Sequence, residues 1–304
     1  MNQLQTNKMR LYLITLTIIL FPVASECQQF NNADSIKYYL TENNVKTKPF
    51  HFISNVPDNI AQIFKYPFKR THYKNFLITI GATAVLIPFD IAVSKGVKHI
   101  AEQIHLSPQT EYKVPIKFGK TNILKIPQNL NSALYQLGEG GTSMILAGGM
   151  YLYGKIRHDK AAEATATDLT ETFFTMGITT QLIKRMSGRE SPSPESLLNE
   201  GGKLRPFTSI RNFQNNTSFY DAFPSGHLAT MMATVTTMAL NYPKKKWIKP
   251  VGYTLMGLTG FAMINNDVHW LSDYPLAIAL GYVSAKITYK KNHPKVHKVL
   301  SIIY

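Results

Sequence analysis

A series of moderately apolar segments, each about as long as a helix, dominates the chain from residue 76 onwards. These segments are rich in Ala, Leu, Met and Thr, and they show little of the apolar–polar alternation that marks a half-buried strand. They cover residues 76–93, 132–153, 161–185, 226–242, 250–265 and 274–289. We therefore predict an all-α fold, a helical bundle of about six core helices.

Changes in composition divide the 304 residues into regions. Residues 28–70 are polar and mixed, and we interpret them as an irregular N-terminal arm with at most one short helix. Residues 71–304 are interpreted as one helical domain. Within that domain, residues 187–222 are rich in Pro, Gly, Ser and Asn, and a polar loop of this length is usually functional or disordered.

Residues 1–27 have the pattern of a secretory signal peptide. Lys8 and Arg10 precede an apolar run over residues 11–24, and small residues follow at the end of that run. The run is short for a membrane-spanning helix, which needs about 20 apolar residues. We expect cleavage near Cys27 and export to the periplasm or the cell-envelope membrane, with the active site outside the cytoplasm. Because Cys27 is the only cysteine, no disulfide can form within the chain.

The chain carries a large excess of positive charge, with 33 Lys and Arg against 18 Asp and Glu. Such an excess favours anionic partners: phosphate esters, anionic lipid surfaces or nucleic acids. The basic residues are scattered or lie in loops such as Lys244–Lys246, with no aromatic-basic stripe of the kind that binds nucleic acid. We therefore expect a phosphorylated lipid or a small phosphate ester as the partner, and no nucleic acid.

The apolar segments are compatible with a membrane-embedded bundle and with a bundle in water. Each is close to the length of a span, yet most contain Thr, Gly or a charged residue, and the mean hydropathy of the chain is only −0.11. The hydropathy and length of the segments themselves favour membrane association over a soluble domain.

The tetrapeptide Pro224-Ser225-Gly226-His227 stands where the polar loop meets an apolar segment. Pro and Ser suit the start of a helix, and the free N–H groups of a first turn form an anion site. Ser225 adds a hydroxyl donor, and His227 would project beside a bound phosphate. Taken alone, the tetrapeptide is more typical of an ordinary helix cap with a surface histidine.

His269 and Asp273 form a second candidate pair. On a helix, residues four apart share a face, so Asp273 can accept a hydrogen bond from one ring nitrogen of His269. The other nitrogen would then point outward as a nucleophile. A lone pair of this kind is more often structural, and neither Cys nor further His spacing supports zinc, so we expect no metal and no cofactor.

Lys184 stands at the end of the segment over residues 161–185, and Gly188-Arg189 comes after it. Basic residues at a helix C-terminus usually interact with the helix dipole. Their place before the other two motifs is what makes them candidates for phosphate binding.

In this order, the motifs resemble the type 2 phosphatidic acid phosphatase and vanadium haloperoxidase superfamily, over roughly residues 130–290. The family signature has three blocks: Lys, six residues and Arg-Pro; Pro-Ser-Gly-His; and Ser-Arg, five residues, His, three residues and Asp. The corresponding blocks here are residues 184–192, 224–227 and 262–273, of which the second is complete.

Two arginines of the family signature are missing. Ser191 stands at the first position and Met263 at the second. The family arginines contact the phosphate, and the loss of two charge-assisted hydrogen bonds of about 1.5–3 kcal/mol each would lower the rate by about 10²–10⁴. Arg189, Arg205 and Arg211 are the candidates to compensate for the first loss, and we find no replacement for the second.

The resemblance implies an acid phosphatase-like or haloperoxidase-like helical bundle. It implies hydrolysis of phosphate monoesters or diphosphates through a phosphohistidine and without a metal, and we expect these substrates to be lipids. The catalytic residues that it implies are the nucleophile His269, the orienting Asp273 and the proton donor His227. The phosphate-binding residues that it implies are Lys184, Arg189, Ser225 and Gly226.

Three alternatives stay open. The chain could be a soluble periplasmic non-specific acid phosphatase. It could be a weak or inactive pseudo-enzyme that binds lipid or protein, which Ser191 and Met263 favour. A vanadate-dependent haloperoxidase is disfavoured, because such sites hold vanadate with the same arginines.

Overall fold

The fold is known from a computed structural model that describes residues 51–118, 121–198 and 202–294. Over these ranges the chain forms eleven α-helices, four short 3-10 helices and one two-stranded hairpin, so the prediction of an all-α fold is confirmed. The predicted signal peptide lies outside the described residues.

The first half of the described chain contains five helices and the hairpin. These elements are α1 His51–Lys65, α2 Tyr73–Leu86, α3 Asp90–Gln103, β1 Tyr112–Phe118, β2 Thr121–Pro127, α4 Leu130–Leu137 and α5 Gly140–Arg157. The second half contains α6 Lys160–Ser187, α7 Pro194–Leu198, α8 Ile210–Asn215, α9 Gly226–Asn241, α10 Ile248–Asn265 and α11 Tyr274–Asn292. The 3-10 helices are Tyr66–Phe68, Ile87–Phe89, Thr217–Phe219 and Leu271–Asp273.

The structure corrects three expectations about these elements. Residues 51–65 of the expected irregular arm form a full helix, because Asn55 and Asn59 donate hydrogen bonds to the buried Glu171 and so join α1 to the bundle. The segments over residues 76–93 and 132–153 are each split in two, at the 3-10 helix that contains Pro88 and at Gly138. The antiparallel hairpin β1–β2 was not expected.

Helix α6 shows how local sequence sets the ends of the long helices. The side chain of Asp159 accepts a hydrogen bond from Ala162 N at its start. The helix ends at Gly188, which has a left-handed conformation with φ +53°. A Cβ at Gly188 would lie 1.8 Å from the carbonyl oxygen of Arg205, so this position requires glycine for its conformation and for its space.

Helices α6, α9 and α11 pack against one another at the centre of the bundle, with α5 on α6 and α10 on α9. Their main core cluster is built from small and flexible apolar side chains, including Met176, Leu228, Ala229, Met232, Met256 and Ala277. The C-terminus of α6, the N-terminus of α9 and the connection from α10 to α11 all lie at one end of this bundle. The chain between Gly188 and Ser225, with the short helices α7 and α8, covers that end.

Helices α2 and α3 form one stretch, Tyr73–Gln103, with a mean hydropathy of 2.1 in its most apolar window. Among the described residues it is the one stretch that is long and apolar enough to cross a membrane. Only 17% of that window is buried inside the molecule. The large apolar side chains that it exposes include Phe76, Leu77, Ile78, Val85, Ile87 and Phe89.

Candidate active site

The three sequence blocks meet at the covered end of the bundle. Lys184 lies in the last turn of α6, His227 in the first turn of α9, and His269 just before the 3-10 helix that leads into α11. The ring centroids of His227 and His269 are 6.0 Å apart. A Cβ at Gly226 would lie 3.8 Å from Lys184 Nζ, so this ammonium group lies beside the start of α9.

His269 is 1% exposed, and its ring is held by a backbone carbonyl. Its Nδ1 lies 2.7 Å from the carbonyl oxygen of Ala222, which can only accept, so Nδ1 carries the proton. Nε2 is therefore the nitrogen that keeps a lone pair. Burial, together with the nearby Lys184, lowers the pKa of His269 to about 3, so the ring is neutral at physiological pH.

The expected hydrogen bond between His269 and Asp273 is not formed. The shortest distance, from Nδ1 to Oδ2, is 3.6 Å, because residues 271–273 form a 3-10 helix rather than a turn of α-helix. Oδ2 of Asp273 instead accepts a hydrogen bond from Trp270 N at 2.7 Å. Asp273 thus acts on His269 through charge and through the backbone of the turn, while the carbonyl of Ala222 selects the tautomer.

Asp273 is completely buried, and its pKa reflects that burial. Burial raises the pKa of Asp273 to about 6, and the Arg189 guanidinium opposes this rise by favouring the ionised carboxylate. Arg189 Nη1 donates to Asp273 Oδ1 at 2.6 Å.

Arg189 differs from its expected role in phosphate binding. Its Nη1 bonds Asp273 and its Nη2 donates to Asp90 Oδ2 at 2.7 Å, so both terminal nitrogens bind carboxylates. The physical reason is charge: two buried carboxylates face each other here, and an unpaired buried charge would be costly. The guanidinium lies behind the turn of residues 271–273, where it stabilises that turn.

Ser225 and Gly226, both expected to bind phosphate at the start of α9, have different contacts in the structure. The side chain of Ser225 caps α9 by accepting from Leu228 N at 3.4 Å, and its backbone N–H donates to Asp273 O at 3.2 Å. The expected contact of the Ser225 N–H with phosphate is therefore replaced by a bond to the turn. The N–H groups of Gly226 and His227 lie in the first turn, where an α-helix supplies no acceptor, so they are the groups available to bind an anion.

Lys184 is 4% exposed, and it pairs with Asp221, a residue that sequence reasoning missed. Lys184 Nζ donates to the carbonyl oxygen of Asp221 at 2.7 Å and lies 2.9 Å from its carboxylate Oδ2. The cation expected to bind phosphate is thus partly neutralised by a carboxylate at the site.

Helix α4 and the hairpin β1–β2 contribute residues that surround His227. The ring of Tyr135 contacts the His227 ring edge-on at 4.6 Å, and Gly138 packs so closely that a Cβ there would lie 2.7 Å from His227 Cβ. Burial lowers the pKa of His227 well below its usual value, and the positive charges of Lys184 and Lys125 act in the same direction. Tyr135 and Lys125 carry no motif in the sequence, so only their position in the fold identifies them.

The two positions of the missing arginines have apolar or uncharged roles. Met263 is completely buried, and Ser191 is 9% exposed and donates its N–H to Ser218 O. Arg205, a candidate replacement, donates to Glu190 Oε2 at 3.1 Å, and Arg211 is exposed on α8. No described arginine has contacts that place it at the phosphate site.

Among the described residues, no group of three or more His, Cys, Asp or Glu is placed to hold a metal ion. The donor set of the site is two neutral imidazoles, one ammonium group and first-turn N–H groups, and such a set suits an anion.

Comparison with known proteins agrees with the motif order. Residues 165–296 match the PAP2 superfamily. Lipid A 1-phosphatase of Porphyromonas gingivalis is 34% identical over 89 residues, which are 29% of this chain and 18% of that protein. No solved structure matches significantly. The matched range contains all three signature blocks, so residues 165–296 are similar to the PAP2 superfamily in the region that carries the motifs.

Proposed function

We propose that the chain is a phosphatase that hydrolyses a phosphorylated lipid through a phosphohistidine intermediate. The observation that carries the proposal is the pair of histidine rings, 6.0 Å apart, beside the start of α9 and Lys184. A tetrahedral phosphoryl group between the rings would have a nucleophile on one side and a proton donor on the other.

In the first step, Nε2 of His269 attacks phosphorus and the bond to the leaving oxygen breaks. The imidazole becomes positively charged, and the carboxylate of Asp273, 3.6 Å from Nδ1, stabilises that charge. His227 gives its proton to the leaving oxygen. His227 is neutral in the free protein, and the negative charge of a bound phosphate favours its protonated form.

In the second step, water attacks the phosphohistidine, and His227 accepts a proton from that water. The P–N bond breaks and inorganic phosphate leaves. Lys184 and the N–H groups of Gly226 and His227 hold the phosphoryl oxygens in both steps. The cycle needs no metal ion.

Two observations support a lipid as the substrate class. The stretch Tyr73–Gln103 exposes a broad apolar surface, and it contributes Asp90 to the network behind the catalytic turn. A relative of similar sequence is named for dephosphorylating lipid A. We also propose export, with the site on the outer side of the membrane.

The test is phosphate release by the purified chain, in detergent, with chelator present. Phosphatidic acid, lipid A, an isoprenoid diphosphate and a soluble aryl phosphate would be compared. We expect release from at least one lipid, and a phosphoenzyme that is stable in base and labile in acid. His269→Gln should abolish release and phosphoenzyme together, whereas His99→Gln, a change at an exposed helical histidine, should leave both unchanged.

A weak or inactive pseudo-enzyme is the second candidate, and the burial of Met263 in place of an arginine favours it. Binding of a phospholipid with no release from any of the four substrates would support this candidate. Release that survives in His269→Gln would exclude the phosphohistidine mechanism.

A further inference from the structure

Asp90 is a buried acidic residue in the middle of the most apolar stretch of the described chain. It begins α3, is 2% exposed, and lies within Tyr73–Gln103. A carboxylate in such surroundings is costly unless hydrogen bonds and a counter-charge satisfy it. The partners of Asp90 therefore indicate why an acid is present there.

All partners of Asp90 belong to the catalytic end of the bundle. Its Oδ1 accepts from Ser272 N at 2.9 Å, and its Oδ2 accepts from Ser272 Oγ at 2.6 Å. Its Oδ2 also accepts from Arg189 Nη2 at 2.7 Å. Ser272 lies between the nucleophile His269 and the start of α11, within the 3-10 helix Leu271–Asp273.

Arg189 connects the two carboxylates. While Nη2 binds Asp90, Nη1 donates to Asp273 Oδ1 and to Ser272 Oγ, each at 2.6 Å. One guanidinium group, one hydroxyl and two carboxylates thus form a closed, buried network. Through this network Asp90, which belongs to α3 and is remote in sequence, holds Ser272 and Asp273 in place.

We propose that Asp90 is a positioning residue for the nucleophile. It acts through Arg189 and Ser272 to fix the turn that sets the approach of His269 to phosphorus. The inference rests on the proposed function, and it assigns Arg189 to positioning. Asp90 itself does not touch the substrate, because Ser272 and Arg189 lie between it and the site.

Asp90→Asn tests the proposal, because it keeps the volume and removes the charge. The amide can still accept one bond from Ser272, but its NH₂ group faces donors. We expect kcat to fall by about 10- to 100-fold, as for other changes that misplace a reacting group. We expect KM and inhibition by inorganic phosphate to change by less than about threefold, because Lys184 and α9 bind the phosphate.

Asp267→Asn is the matched control. Asp267 pairs with Lys98 of α3 at 2.6 Å, so this change also removes an ion pair between α3 and the segment before His269. Asp267 has φ +56°, a conformation that Asn tolerates well. The control should leave kcat unchanged. An equal loss of kcat in both variants would overturn the proposal, since general loosening of α3 would then explain it.

A double-mutant cycle with Arg189→Gln separates positioning from an unrelated structural effect. If Asp90 acts through Arg189, the double variant should lose no more than about threefold in kcat beyond the worse single variant. Losses that multiply would contradict the proposed connection. If Asp90→Asn does not fold, Ser272→Ala removes the shared hydroxyl with less disturbance. It should lower kcat at least fivefold with KM unchanged, and an unchanged kcat would overturn the proposal.

A measurement independent of turnover keeps the inference distinct from the proposed function. With ¹⁵N-labelled histidine, the resonances of His269 are assigned by their loss in His269→Gln. They should shift in Asp90→Asn, or in Ser272→Ala, and stay in place in Asp267→Asn. If the parent chain releases no phosphate, the proposed function fails, and these resonances still decide whether Asp90 positions the ring. Unshifted resonances would overturn the inference whatever the activity.

Discussion

Asp221→Asn should tighten phosphate binding at the candidate site. The carboxylate of Asp221 lies 2.9 Å from Lys184 Nζ, the cation that faces the start of α9. Its Oδ1 is buried without a hydrogen-bond partner among the described residues. Asparagine keeps the backbone carbonyl that accepts from Lys184 at 2.7 Å, so the ammonium group should stay in place while its charge becomes available.

The size of the effect follows from two terms. The ion pair between Lys184 and Asp221 is partly exposed, with 30% of the Asp221 side chain accessible, so it is worth about 0.2–1 kcal/mol. A ligand that binds Lys184 no longer has to overcome this attraction once the carboxylate is removed. The same carboxylate repels an incoming phosphate, and screened charges a few ångströms apart contribute about 1 kcal/mol. Together these terms give about 1–2 kcal/mol, or about 5- to 30-fold tighter binding.

Competitive inhibition by inorganic phosphate and by vanadate measures this change directly. Asp58→Asn is the control, because Asp58 pairs with Lys291 at 2.6 Å and the substitution changes the net charge equally. The inhibition constants should fall for Asp221→Asn and stay constant for the control. Unchanged or weaker inhibition in a folded Asp221→Asn variant would refute the argument, because Asp221 would then be needed to hold Lys184 in position.

Three further predictions concern pH, the missing arginines and metal. Asp273 has a pKa of about 6 and must be ionised to stabilise the charged His269, so kcat/KM should fall as the pH drops through 6. This acid limb of the pH profile should be absent from the slower variant Asp273→Asn. A limb that persists in that variant would belong to another group. Ser191→Arg should tighten inhibition by inorganic phosphate by about tenfold if one charge-assisted hydrogen bond forms, which an inhibition assay measures. Met263→Arg should lower the unfolding temperature sharply, because Met263 is completely buried, and thermal unfolding measures this effect. Activity should survive chelator, and loss that a divalent ion restores would contradict the metal-free mechanism.

The sequence was most informative where local rules act alone. The length and composition of the apolar segments over residues 161–185 and 226–242 predicted α6 and α9 to within two residues at each end. Residues 112–118 alternate apolar and polar side chains, and this signal of the hairpin was missed among longer helical segments. The Asn side chains of α1 gave no local sign that they would meet Glu171 across the bundle.

The candidate site was predictable in its members and less so in their roles. His227, His269 and Lys184 meet as the motif order implies, yet the partner of each imidazole depends on contacts between distant segments. The spacing of His269 and Asp273 predicts a shared helical face, whereas the chain forms a 3-10 turn and Ala222 supplies the hydrogen bond. Asp90 could have been noticed as the acid in an apolar stretch, but its partners, 99 to 182 residues away, could not.

The cations around the proposed phosphate site are paired with carboxylates. Lys184 pairs with Asp221, and Lys125 lies 2.9 Å from Glu139 Oε1. Arg189 is held by two carboxylates behind the turn. A phosphate ester therefore meets a weaker positive field than the net charge of +15 suggests.

Weak electrostatic capture changes where the binding energy for catalysis must come from. A small phosphate ester offers only its phosphoryl oxygens, so the first turn of α9 and one partly neutralised lysine have to hold it. A lipid adds apolar contact area, and binding energy from such remote parts of a substrate can hold the phosphoryl group against His269 in the transition state. The stretch Tyr73–Gln103, which exposes a broad apolar surface, is joined to the proposed catalytic turn by the hydrogen bond between Asp90 and Ser272, and we propose that it supplies that energy. The same pairing of charges that weakens the site for soluble esters is therefore compatible with turnover of a lipid, because affinity and positioning then depend on the apolar part of the substrate.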